Sequence, residues 1–377
     1  MSDAVSSAAA TPAAGARFAG GDQSYRVLVW RRLRRSAAGM IGLTLVALVL
    51  LMAIFADFVA PLDPHAVDAS FAPPEQIAFS DGDGRYSIFP RIYPIVESTK
   101  LDPVTFQPLN GPDYSHPRYV GFFVKGAPYA WFGLIPGDRH LFGTVDGAPA
   151  HFLGTDKFGR DILSRGIFGS RISLMIALIV VSITTGVGTS VGLFSGYVGG
   201  RFDAWFQRFV EIVLAFPQLP LYLALTSLIP ITAPTSVFLA FVILVLAALG
   251  WAQLSREVRS KTLALARVDY VKAAVAVGAG DGRIIFQHIL PNVLSHVIVA
   301  VTLQIPAVVL LESFLGFLGF AVKPPLISWG LMLQDTGNFS VLGSYPWILA
   351  PVGFVLITVF AFNALGDGLR DAIDPYS

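Results

Sequence analysis

No cysteine occurs anywhere in the 377 residues. Disulfides and thiolate metal sites are thereby excluded, and the redox character of the compartment leaves no mark. Charge is scarce as well: Asp, Glu, Lys and Arg make up 14% of the chain, against about 25% in a typical soluble domain. No glycine is followed directly by lysine, so the chain contains no GxxxxGKS/T phosphate loop. Any ATP hydrolysis linked to this chain must sit on another one. His65, His116, His140 and His151 form no metal-ligand pattern, and no Ser/His/Asp spacing points to hydrolysis. A net charge of +1 gives no electrostatic argument for nucleic acid.

What the chain has is apolar surface, in blocks. Hydrophobic residues reach 54%, and the mean hydropathy is +0.65. A helix needs roughly 20 mostly apolar residues to cross a bilayer. Six blocks qualify: about Ala37–Val59, Ile172–Phe194, Val210–Ile229, Ser236–Leu254, Val293–Phe314 and Pro346–Leu365. The first exceeds a signal-peptide core, so it reads as a retained anchor. Arg17, Arg26, Arg31, Arg32, Arg34 and Arg35 precede it, which places the N-terminus in the cytoplasm. Six spans then return the C-terminus to the same side. The 255–290 segment, with Arg256, Arg259, Lys261, Arg267, Lys272 and Arg283, falls inside, and the two short outer connections carry only Lys323. The expected fold class is therefore an all-α membrane protein with both termini cytoplasmic.

The parts between the spans differ in character. Residues 1–36 form a tail, and "YRVLVWRRLRRS" within it reads either as a basic amphipathic helix on the membrane surface or as a plain topology signal. Span one occupies 37–60. Residues 61–150 form an outer insertion. Its Gly, Pro and aromatic spacing from about 71 onward suggests a small β-rich domain that packs on the outer face. A core with the other five spans follows at 151–377. Asp156 with Arg160, and Asp161 with Arg165, are spaced to pair if a helix forms there. Gly186, Gly188 and Gly192 make a small-residue stripe suited to close helix packing. Pro217, Pro220 and Pro306 are placed to break or kink spans three and five. Glu211 is expected to pair with Arg208.

The segment "VKAAVAVGAGDGRIIFQHILPN", 271–292, is longer than a plain loop requires. Asp269 can cap a short helix with Tyr270, Ala273, Ala274 and Val277 on one stripe. Gly278 or Gly280 can take the left-handed position at its end. Asp281 can cap a second short helix before Pro291 opens span five. Such a helix–turn–helix either covers the protein's own helix ends or docks in another protein's groove. Both readings stand on these grounds.

These residues carry a resemblance. "KAAVAVGAGDGRIIFQHILP" resembles the EAA loop of bacterial ABC importer permeases, with Ala273, Ala274, Gly278, Leu290 and Pro291 at matching spacing. "FLGTDKFGRDILSRGIFGSRISL" and "LLESFLGFLGFAVKPPLISWGLML" are similar to the dipeptide/oligopeptide permease family, in particular the second of its two permeases. The resemblance covers roughly 26–70 and 150–377. It implies a type I importer fold and a coupling stretch at 255–290 comprising Tyr270, Lys272, Ala273, Ala274, Gly278, Asp281, Ile289, Leu290 and Pro291. Lys272 departs from the pattern, standing where the motif has Glu. At the third helical position a Glu would add roughly 0.3–1 kcal/mol through the helix dipole, so no ATPase contact is assigned to Lys272. The long insertion is the second departure.

The resemblance further implies a homologous permease partner, two ATPase subunits, a periplasmic solute-binding protein, and residence in the bacterial inner membrane. It implies no enzyme activity and no cofactor on this chain, ATP being bound by the partner subunits. It places Glu312 near the outer gate. Two competing functions predict different features. An ion-coupled transporter would carry carboxylates in mid-span. A membrane anchor would carry a binding or catalytic constellation in 71–150. Few mid-span charges and no such constellation are present.

Overall fold

The computed structural model describes residues 25–80, 86–96, 111–230 and 232–373. The chain begins with α1 (Tyr25–Arg35), α2 (Ala37–Ile54) and the short α3 (Ala56–Val59). Six strands follow: β1 (Ile77–Ser80), β2 (Tyr86–Ile92), β3 (Ile95–Val96), β4 (Gly111–Pro112), β5 (Arg118–Trp131) and β6 (Ile135–Thr144). Helices then dominate: α4 (Ile162–Val198), α5 (Gly200–Ala215), α6 (Gln218–Thr226), α7 (Thr235–Leu265), α8 (Asp269–Ala276) and α9 (Asp281–Arg283). A π-helical turn (Ile284–Ile289) runs into α10 (Leu290–Phe317), and α11 (Trp329–Leu333), α12 (Phe339–Ser344) and α13 (Ala350–Ile373) close the chain.

Among the described residues, five helical stretches are long and apolar enough to cross a membrane: α2, α4, α7, Asp281–Phe317 and Pro346–Ile373. The third expected span, Val210–Ile229, is not one helix. It is broken between α5 and α6, which meet at 80°. Phe216 and Pro217 lie at the break in extended geometry. Proline disfavours helix in the residue before it, so the expected break at Pro217 is found. Pro220 sits inside α6, and Pro306 sits inside α10.

The helices approach closely where side chains are small. A Cβ on Gly188, Gly192 or Gly196 would lie 2.6–2.9 Å from atoms of α7. The expected stripe thus holds at Gly188 and Gly192, while Gly186 faces open space. Gly39 and Gly42 likewise receive α13 at Gly368 and Leu365. Lipid offers no hydrophobic drive for helix association, so close packing at such small residues is one of the forces that hold spans together within a bilayer. The core they enclose is built from Val180, Val242, Leu246, Val309, Leu315 and Trp329, with their neighbours on α2 and α13.

At 1.5 Å per residue the 37-residue α4 is about 55 Å long, well beyond a roughly 30 Å hydrocarbon layer. It therefore links two structures at opposite ends of the bundle. One end carries an antiparallel sheet of order β1-β2-β5-β6, with a separate β3–β4 pair. Strands thus occur between α3 and α4, in the stretch whose spacing suggests β structure. The other end carries α1, the 266–290 loop and the end of α13.

The charged stretch before α4 differs from expectation. Asp156 and Arg160 do pair, at 2.8 Å, through a tight turn and not a helix. Asp161 and Arg165 do not pair. Asp161 caps α4 by accepting the Ser164 N–H at 2.7 Å and also contacts His151. Arg165 turns instead to Asp156 and the Pro64 carbonyl.

Candidate functional site

The loop between α7 and α10 is organised by one glycine. Gly278 has φ +86°, a conformation that side chains with a Cβ disfavour. Its N–H bonds the Val275 carbonyl at 2.9 Å, and the Ala279 N–H bonds the Ala274 carbonyl at 3.0 Å. This pair of bonds is a Schellman termination of α8. Gly280 keeps a negative φ, so of the two candidates Gly278 is the turning residue.

Other local expectations are corrected. Val268, not Asp269, precedes the first helical residue of α8, and no side chain caps it. Lys272 consequently occupies the fourth helical position. It lies 3.4 Å from Asp269, both groups being exposed. Asp281 caps no helix either. It accepts a hydrogen bond of 2.8 Å from the Tyr197 hydroxyl at the end of α4. The second short helix is not separate, because α9, the π turn and α10 form one continuous stretch. Pro291 explains the π geometry. An α-helix would need its missing N–H and would push its ring against the Gln287 carbonyl. The wider turn relieves both, and the Leu290 N–H bonds Ile285 five residues back.

The two apolar faces have different fates. Ile284, Ile285 and Ile289 are buried against Leu193, Leu254, Val258 and Val293, closing the ends of α4, α7 and α10. Val271 anchors α8 to the same cluster, and Leu290 is half-buried beside it. The expected stripe of α8, however, points mostly outward. Only Ala274 is partly covered, Tyr270 and Ala273 are exposed, and Val277 is 85% exposed. Val275 and Phe286 extend this surface.

Polar contacts fix the loop to the spans. The Tyr270 hydroxyl accepts from the Asn292 amide at 3.2 Å, and Asn292 also donates to the His288 carbonyl at 2.8 Å. Asp203 on α5 receives both Nε and Nη2 of Arg259 on α7 at 2.5 Å, and the Ser195 hydroxyl of α4. Tyr197, Asn292, Asp203 and Ser195 carry no local sequence signal for these roles, since each partner lies at least eight residues away and most lie much farther. Asn292 and its His288 carbonyl are the exception, at one helical turn. Glu211 pairs with Arg208 at 2.9 Å, as expected.

Above the loop lies a cavity of about 550 Å3 between α4, α6, α7 and α10. Its wall is apolar at Val180, Leu246, Val308 and Leu311 and polar at Gln218, Gln253, Glu257 and Gln304. Glu257 accepts from Gln253 at 3.0 Å and lies 3.2 Å from His296 Nε2. Gln304 donates to Thr184 at 3.1 Å. Glu312 does not line this cavity. It is fully buried, with one carboxylate oxygen accepting from Ser173 at 2.9 Å. Ser173 in turn accepts the Trp329 N–H at 3.1 Å. Glu312 thus underlies α11, at the end of the bundle that carries the sheet.

Residues 188–376 match the family of binding-protein-dependent transport system inner membrane components. The chain belongs to that family. A second match, to the N-terminal transmembrane domain of oligopeptide transport permease C, covers residues 24–74. The first includes the whole 266–290 loop and three of the four cavity helices entirely; the second covers α1 to α3. The sheet lies outside both.

Individual permeases agree. The chain is 38% identical to the oligopeptide transport system permease protein OppC of Haemophilus influenzae, over 68% of this chain and 81% of that one. It is 42% identical to the Escherichia coli protein of the same name, over 60% and 72% respectively. The dipeptide transport system permease protein DppC of Bacillus subtilis is 38% identical, over 60% and 68%. As a permease of this family, the chain is a multi-pass membrane protein. The family membership counts against an ion-coupled transporter.

Proposed function

We propose that this chain forms half of the translocation pathway of an ATP-driven bacterial importer for peptides or related solutes. Its partners are a homologous permease, two ATPase subunits on the cytoplasmic face, and a periplasmic binding protein that delivers the solute. The chain itself binds no ATP and no cofactor. In this arrangement the inner membrane holds the bundle as six spans, the bent α5–α6 pair being one. The 266–290 loop and the termini face the cytoplasm, and the sheet faces the periplasm. The arginines before α2 and along the loop support that orientation.

One observation carries the reading: α8 presents an uncovered apolar face while its own base is locked to three spans. Small side chains at Ala273 and exposed ones at Tyr270 and Val277 suit insertion into a groove. When the ATPases close, the displaced α8 moves Val271, and with it the cluster at the ends of α4, α7 and α10. The Tyr270–Asn292 and Tyr197–Asp281 contacts transmit the same displacement to α10 and α4. The cavity bounded by these helices then changes its access from one face to the other, as alternating access requires. Its amide groups suit the peptide bonds of a passing solute. Glu312 serves the outer gate, holding the α11 segment through Ser173 and Trp329.

Val277→Asp tests the coupling. Val277 is exposed, so the substitution leaves the permease fold intact. Co-purification with the ATPases is expected to be lost while the homologous permease is retained. ATPases retained in full by this variant and by Ala273→Glu would overturn the assignment of α8.

A further inference from the structure

The β5–β6 hairpin ends in an apolar tip that lies against the end of α2. Trp131 donates its indole N–H to the Ile54 carbonyl at 2.8 Å, and its ring stacks on Phe55 at 5.4 Å. Phe132 takes φ +48°, a strained conformation for a bulky residue. That strain turns its ring over the guanidinium of Arg171, at 4.7 Å. Arg171 pairs with Asp57 at 2.5 Å and donates to the Ala53 and Ile54 carbonyls. An ion pair with aromatics around it marks the level where a span meets water. The hairpin tip is held at that level.

The tip is apolar on its outer side as well. Phe132 and Ile135 are more than half exposed, and Leu134 is 83% exposed. Beneath it lies an apolar cavity of about 750 Å3, walled by Leu48, Leu51 and Phe58 on one side and Tyr129, Trp131 and Leu141 on the other. Tyr129 spends its hydroxyl on the Arg139 carbonyl, so it offers the cavity only its ring. Leu48 and Leu51 belong to the outward face of a spanning helix. Leu48 lies six residues before Ile54, or about 9 Å into the span. The cavity is therefore continuous with the surface that faces hydrocarbon.

We propose that the β5–β6 hairpin is seated in the membrane interface and that its cavity takes an acyl chain of a membrane lipid. A long apolar ligand without a polar anchor fits this wall, and the bilayer supplies it at the depth where the cavity opens. Large aromatic and leucine side chains at a tip are the usual composition of interfacial elements. The inference requires only that α2 spans the membrane. It holds on either orientation and whatever solute is carried.

The absence of cysteine makes the test direct. Leu134→Cys and Lys125→Cys are each spin-labelled in the importer complex, reconstituted in phosphatidylethanolamine/phosphatidylglycerol nanodiscs. The wild-type complex supplies the background from the other subunits. Lys125 lies on the same hairpin and is largely exposed. The ratio of oxygen to nickel-chelate accessibility is expected to be several-fold higher at position 134 than at 125. Equal ratios, or shielding of position 134 from both reagents as under a protein partner, would overturn the seating. For the cavity, the fluorescence difference between wild type and Trp131→Phe isolates Trp131. Chain-brominated phospholipid is expected to quench that component strongly; an unquenched component would overturn acyl-chain occupancy.

Discussion

The two ends of the bundle both expose apolar side chains, but of different kinds and on different supports. At the loop end the surface is mostly small: alanines, two valines and a tyrosine on or just after a helix of eight residues, with Phe286 beside them. It is set off from the spans by Gly278 and tied back through Val271, Tyr270 and Asp281. At the sheet end the surface is large and aromatic, and it runs without interruption into the outward face of α2. A detached, small-sided face suits a protein groove, where close backbone approach gives specificity. A face continuous with a spanning helix suits lipid, which needs no such fit. The family matches follow the same division, covering the loop and leaving the sheet outside.

Perturbing what both ends share should have the largest effect. Gly192→Val would place its first side-chain carbon 2.6 Å from the Ser255 carbonyl and 2.7 Å from Val258. The α4–α7 contact must then open, and the protein is expected to fail to accumulate in membranes, as read by its level in the membrane fraction. Excising 76–150 separates the two ends instead. The Glu75 N–H already bonds the His151 carbonyl at 2.9 Å, so the joined chain spans no gap. Solute uptake is expected to survive in part; its complete loss would show that the sheet does more than elaborate the outer face.

Smaller changes sharpen the contrast. Gly278→Ala forces a side chain into the left-handed region, at about 1 kcal/mol. Coupled ATPase activity should fall while the spin-label pattern at the hairpin stays unchanged. The smallest effect is expected from pH, and only at the sheet end. Burial lowers the pKa of His151, but its hydrogen bond to Asp161 and the charges of Asp161, Asp68 and Glu75 outweigh this and raise it above 6.5. Burial also raises Glu75. For both groups the protonated form is favoured in the fold. The His151 contribution is complete below about 6.5 and the Glu75 contribution below about 4.5, and each is lost as pH rises through its raised value. Hydrogen exchange at the Glu75 amide, corrected for its intrinsic pH dependence, should therefore speed up on the alkaline side, with no matching change at Ala279.

Much of this was legible in the chain because it rests on local backbone chemistry. Gly278 ends α8 because only glycine takes its φ freely. Pro217 breaks span three because the residue before proline avoids the helix. Apolar length revealed α2, α4, α7, α10 and α13. What stayed hidden depends on distant pairing. Nothing near Asp281 signals Tyr197, 84 residues away, and nothing near Asp203 signals Arg259, 56 residues away. Which face of α8 is buried was not legible for a related reason. In an alanine-rich helix several faces look alike, and Val271 alone, packed by remote residues, decides which one is buried. The 80° bend was not legible either, since proline supplies the break but not the angle.

The most direct test of the account places a photoreactive residue at Val277 and, separately, at Leu134 in the assembled importer and identifies what each captures. The account predicts an ATPase adduct from position 277 and only lipid from position 134. No ATPase adduct from position 277, with a protein adduct from position 134, would contradict it.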